Sequence, residues 1–141
     1  MEAYRLEQYR DRETKMVLRE IYYNAAGQKD RGGLPSLIEY NDNCVPYEFN
    51  YFRMDELHRI NGPAAYEVNP ENGIVIQEYW YVDGQQHRSG GLPSIIHRDD
   101  VTGVVVYRAF YENGKETRPE IEGIDRNKEF EEENLHNISG P

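Results

Sequence analysis

The sequence predicts an all-β chain: an elongated, single-layer antiparallel meander of about eight strands, built from repeated hairpins. Three observations carry this. The ten residues from Gly27 to Ser36 return, with one insertion, from Gly84 to Ser94, and more loosely from Asp55 to Ala64. An aromatic stretch precedes each copy: Tyr22-Tyr23, then Tyr51-Phe52, then Trp80-Tyr81, with Phe110-Tyr111 opening a fourth. Short alternating runs are separated by turn chemistry at regular intervals.

In chain order, Tyr4 to Tyr9 and Met16 to Tyr23 pair around a polar turn at 10–14. Leu37 to Tyr40 and Tyr47 to Phe52 flank Asn41-Asp42-Asn43. Val68 leads into the turn Asn69-Pro70-Glu71-Asn72-Gly73, followed by one long strand from Ile74 to Tyr81. Ile95 to His97 is joined through Asp99 to Gly103 to another long strand, Val104 to Tyr111. Asn and Asp beside Gly favour tight hairpins, and proline fits a turn. A second turn follows each aromatic pair, at Asp83-Gly84 and Asn113-Gly114, more weakly at Ala26-Gly27, with Asp55 in the glycine-like place of the second unit.

Gly33, Gly62 and Gly91 stand 29 residues apart, a period that suits stacked supersecondary units. The array is assigned to 1–119, with units at about 4–31, 32–59, 60–88 and 89–118. The acidic segment 120–141 follows. There either Asp125 caps a short helix from Arg126 to about Asn134, whose Phe130, with Leu135, would cover the edge of the last strand, or the segment is a disordered acidic tail.

Composition sets the outer limits on function. With 26 acidic and 16 basic residues the chain carries −10 at neutral pH. That disfavours direct binding to nucleic acid and suits a basic, or nucleic-acid-binding, protein partner. From Glu112 onward nine acids face four bases, so half of the net charge lies in the last 30 residues. Cys44 is alone, so a disulfide framework is excluded and a reducing compartment is expected. No run reaches 18 apolar residues and no charged-then-apolar leader opens the chain. The expectation is therefore no membrane span and a cytoplasmic protein, in the host cell if viral.

The recurring unit is an aromatic pair, Asn/Asp-Gly, two polar residues, Arg, and then Gly-Pro-Ala or Gly-Gly-Leu-Pro-Ser. It resembles a divergent MORN-type repeat whose phrase runs Trp-Tyr-x-Asn-Gly-x-x-His-Arg-x-x-Gly-Pro-Ala. Trp80, Tyr81, Gly84, His87, Arg88 and Gly91 carry it best. Phe110, Tyr111, Asn113, Gly114 and Arg118 come next, while His58, Arg59, Gly62, Pro63 and Ala64 supply its end. The likeness spans Met16 to Pro119, with departures at Asp30, at Asp55 and at Leu92-Pro93-Ser94. It implies a thin twisted sheet of hairpins serving as scaffold or binding surface, of a kind common in viruses and bacteria.

Several residue sets are candidate sites. Arg31, Arg59, Arg88 and Arg118, with His58 and His87, form a ladder. Its structural reading has each Arg tying its turn to the next unit or covering a ring. Its functional reading faces an anion, with stacking offered on the other face by Tyr22, Tyr51, Trp80 and Tyr107. Equivalent histidines one unit apart are too far separated to share a metal. Glu20, Glu48, Glu78 and Glu112, joined by Glu39 and Glu67 and by Glu131, Glu132 and Glu133, would make an acidic face. Gly33, Gly62, Gly91, Gly84 and Gly114, with Tyr23, Phe52, Trp80, Tyr81, Phe110 and Tyr111, read as repeat-structural. No catalytic constellation and no cofactor emerges.

The expected function is a non-enzymatic protein-interaction module, a viral or bacterial factor that binds and modulates, for instance inhibits, a host or cognate protein. The alternatives are a self-assembling scaffold and a nucleotide or other small anionic ligand binder using the ladder.

Overall fold

The computed structural model describes residues 3–118. Along the chain the strands are β1 (Arg5–Arg10), β2 (Val17–Tyr23), β3 (Leu37–Tyr40), β4 (Pro46–Asn50), β5 (Phe52–Arg53), β6 (Glu56–Leu57), β7 (Ala65–Val68), β8 (Val75–Tyr79), β9 (Tyr81–Val82), β10 (Gln85–Gln86), β11 (Ile95–Arg98), β12 (Val105–Ala109), β13 (Tyr111–Glu112) and β14 (Lys115–Glu116). Eight of them form one sheet in the order β1-β2-β3-β4-β7-β8-β11-β12, every neighbour antiparallel. The other six make three two-stranded hairpins, β5–β6, β9–β10 and β13–β14. The architecture is thus the elongated single-layer meander that the hairpin signals predicted.

The long strands expected at Ile74 to Tyr81 and Val104 to Tyr111 are each broken at the aromatic residue, as is Tyr47 to Phe52. The break has a backbone cause. The Tyr51 N–H donates forward to the Ala64 carbonyl at 2.7 Å, while its own carbonyl accepts from the His58 N–H at 3.0 Å. Trp80 does the same between Ser94 and His87. One residue therefore joins the main sheet through its N–H and a small hairpin through its carbonyl, and the strand bends there.

Each large hairpin turn is closed in the same manner. The side chains of Asp11, Asn41, Asn69 and Asp99 accept the N–H two residues on, each at 2.9 Å. A left-handed residue then ends the turn: Lys15, Cys44, Gly73 and Gly103 have φ of 63, 60, 79 and 77°. Asx side chains favour this closure because they offer an acceptor close to the backbone. Beyond each turn the register slips once, leaving Leu18, Tyr47, Ile76 and Val106 as extra residues opposite a shorter partner strand.

Directly opposed residues of antiparallel strands share a face. One row holds Gln8, Glu20, Ile38, Phe49, Tyr66, Glu78, Ile96 and Arg108. The neighbouring row, on the opposite face, holds Tyr9, Arg19, Glu39, Glu48, Glu67, Gln77, His97 and Tyr107. Most buried side chains, among them Ile38, Tyr51, Ile96 and Phe110, belong to the first face. Phe49 stacks on Tyr66 there at 4.9 Å.

The 29-residue glycine spacing does not mark equivalent places. Gly33 and Gly91 have positive φ, whereas Gly62 does not, and Asn61 takes the left-handed place in that loop. Gly62 is required for close approach: a Cβ there would meet the Arg59 guanidinium at 2.7 Å. The structural period is carried by the rings at 22, 51, 80 and 110 and by the arginines at 31, 59, 88 and 118. Among the described residues no helix is long and apolar enough to cross a membrane. The expected helix at 126–134 lies outside the described residues.

Candidate functional site: the arginine ladder and its groove

The unit junctions begin with small residues. Ser36, Ala64 and Ser94 follow the prolines of the loops and are fully buried. Each donates its N–H to the strand on one side, at Asn50, Tyr79 and Ala109, and accepts from the aromatic residue on the other. Little room remains at such a double junction, which explains why the loops end in Pro-Ser or Pro-Ala.

The arginines close over these junctions. Arg31 lies 3.7 Å above the centre of the Tyr22 ring, Arg59 4.0 Å above Tyr51, Arg88 3.8 Å above Trp80 and Arg118 4.3 Å above Phe110. The first three also donate through Nη1 to the carbonyl of their own loop proline, Pro35, Pro63 and Pro93, at 3.1–3.2 Å. A planar guanidinium can stack and donate at once, which an ammonium does poorly. Burial draws the Arg88 pKa down, with Glu78 acting in the opposite sense. The ion pairs among the described residues join Arg5 to Glu7, Arg19 to Glu39, Arg53 to Asp83, His58 to Asp83 and Arg98 to Glu78. Arg31, Arg59 and Arg88 enter none of them.

The histidines beside these arginines join successive units. His58 Nδ1 accepts the Asp83 N–H and His87 Nδ1 accepts the Asn113 N–H, each at 3.0 Å. Asp30, at the same place one unit earlier, accepts from Met54 N–H at 3.3 Å. The small hairpins are further linked by Gly84 N–H to the Leu57 carbonyl and Gly114 N–H to the Gln86 carbonyl, each at 2.9 Å.

Tyr107, grouped by sequence with the ladder rings, stands on the other face against His97, 5.2 Å between ring centres. Phe110 takes the fourth ladder place. Of the other aromatic positions, Tyr23 lies beneath Arg5 and Phe52 beneath Lys29, while the Tyr81 hydroxyl accepts from Gln86.

The acidic residues do not gather on one face. Glu20 accepts from the hydroxyl of Tyr40 and from Gln8 on the ladder face, and Glu78 pairs there with Arg98 at 2.5 Å and accepts from Trp80. Burial, and then the bond to Glu20, raise the Tyr40 pKa. On the opposite face Glu39, Glu48 and Glu67 stand side by side on β3, β4 and β7, with Arg19 on Glu39 at 2.5 Å. Burial and the two flanking carboxylates hold the Glu48 pKa above its ordinary value. Glu112 is half-buried on β13, opposite Lys115. Glu131, Glu132 and Glu133 lie outside the described residues.

A groove of about 590 Å³ opens where the loop at 32–34 meets the β5–β6 hairpin. Arg59, His58 and Arg53 line it together with Leu34, Met54 and Ile60. Those three aliphatic side chains are 56, 61 and 63% exposed. Sequence reasoning passed over them because they fall in turns, outside the alternation of the strands. Their signal was available: a large aliphatic residue inside a Gly-rich or Met-Asp turn has no core to fill. Comparison with family models, with curated proteins and with solved structures returned no match.

Proposed function

We propose that this chain is a non-enzymatic protein-interaction module, a divergent MORN-type array of viral or bacterial kind that binds and modulates another protein. One observation carries the reading: Leu34, Met54, Ile60 and Leu92 stand exposed in turns and loops of a repetitive, single-layer sheet. Exposed aliphatic groups in turns add little to a fold and suit contact with another surface. The test is affinity capture with the full chain followed by titration of the isolated partner. A stoichiometric protein partner of micromolar or better affinity is expected; no partner above background overturns the reading.

Self-assembly is supported by one edge. Tyr22 donates its N–H to Ser36, just ahead of β3, so its opposite residue on β1, Leu6, turns its backbone groups outward. Such an edge can pair with another strand. Light scattering over a wide concentration range tests it, and a monomer throughout removes it. The nucleotide alternative has less support, because guanidinium groups already cover the ring faces of Tyr22, Tyr51 and Trp80.

A further inference from the structure

We infer that the groove between the 32–34 loop and the β5–β6 hairpin receives an extended peptide segment of a partner protein in which a carboxylate lies beside aliphatic side chains. The inference rests on the interaction-module reading and gives the partner its chemistry.

The charged groups lining the groove are Asp30, Arg53, His58 and Arg59. Asp30 accepts the N–H groups of Gly32 and Met54. Arg53 pairs with Asp83, and His58 accepts the Asp83 N–H. Of the groove's basic residues, Arg59 is the one with no carboxylate partner among the described residues. Tyr51 beneath it and its bond to the Pro63 carbonyl hold it in place. A guanidinium already oriented loses little freedom when a carboxylate meets its remaining N–H groups. Around it stand Leu34, Met54 and Ile60, so the complementary ligand is an anion with aliphatic neighbours.

The lining also argues against a nucleotide. Its two aromatic residues are Tyr51 and Phe52, and each carries a cation, Arg59 at 4.0 Å and Lys29 at 4.3 Å. The ring face that each cation covers is closed to a base. The overall charge of −10 would repel a polyanion at long range, whereas a short segment with one acid pays little of that repulsion.

The experiment is selection of a random peptide display library on the full chain, followed by anisotropy titration of the enriched peptides. The peptides are expected to share an Asp or Glu next to Leu, Ile or Val, and amidation of that acid should weaken binding about tenfold. Because Arg59→Lys risks the fold, the decisive variants are M54D and I60D. These are exposed turn positions, and each should weaken binding about tenfold without lowering the melting temperature. Selected peptides without an acid overturn the proposal, as does binding that M54D and I60D leave untouched, or self-association as the sole signal. A captured protein partner that binds M54D and I60D as well as the parent overturns the groove and leaves the interaction-module reading intact. Failure of both capture and display removes both.

Discussion

Lys15 and Cys44 sit in left-handed backbone at the place where the other two large hairpins use Gly73 and Gly103. A side chain there crowds the following carbonyl, at a cost of about 1–2 kcal/mol. Replacing Cys44 with glycine relieves that strain but adds unfolded-state freedom, so a net gain of about 0.5 kcal/mol is expected in urea unfolding. Unchanged or lower stability would show that the thiol, 3.7 Å from the Val17 carbonyl, matters more than the backbone. Glu48 works in the opposite sense to an ordinary paired acid. Its folded pKa is raised, so the protonated form favours folding; that stability is fully present below the unfolded value of about 4.5 and is lost as pH rises through the folded pKa. Glu48→Gln should therefore raise the melting temperature at pH 7, where like charges on paired strands cost up to about 1 kcal/mol. The gain should shrink toward pH 4. Equal gains at both pH values would mean that packing, not charge, sets the effect.

At the scale of the element, the small hairpins share two-residue turns with positive φ at both central residues: Met54-Asp55, Asp83-Gly84 and Asn113-Gly114. Asn-Gly and Asp-Gly suit that geometry; Met does not. Met54→Asn should stabilise the chain by about 1 kcal/mol, read by thermal unfolding. Asp55 is less open to change, since its carboxylate accepts the Lys29 N–H at 2.7 Å and ties the first unit to the second. The ladder supplies the contrasting case. Arg88→Lys keeps the charge yet loses the planar stack on Trp80 and the bond to Pro93, and should cost about 1–2 kcal/mol. Arg53→Lys, on an exposed pair with Asp83, should change stability by about 0.5 kcal/mol or less. Similar costs for the two would contradict a structural role for the ladder.

For the whole molecule, each strand pairs with its neighbours in the sheet, and the small hairpins are bonded to the adjoining units. Stability in such an array is a sum over units and their junctions, so inner units are held from two sides. Amide hydrogen exchange should be slowest in β4, β7 and β8 and faster toward β1, whose side chains are nearly all exposed. Uniform protection from β1 to β8 would mean that the array opens as one block. The same linear construction repeats similar turns along one side of the sheet, so a surface built on them is extended.

The local signals were legible because they belong to single stretches of chain. Asp-Gly and Asn-Gly mark tight turns by their own backbone preferences, and the alternation in Leu37 to Tyr40 or Ile95 to His97 marks strands, so the eight-stranded meander follows from the sequence by itself. The tertiary structure decided which residues meet. It broke the long strands at Tyr51 and Trp80, where one residue bonds to the next unit with its N–H and to its own small hairpin with its carbonyl, and at Phe110, whose carbonyl accepts from Thr117 in the same way. It placed Gly62 out of step with Gly33, because what repeats in space is a guanidinium over a ring and not a glycine. It divided the acids between two faces, since a shift of one residue in register reverses a side chain. It also left Leu34, Met54 and Ile60 beside a fixed arginine, a grouping that depends on one unit folding against the next.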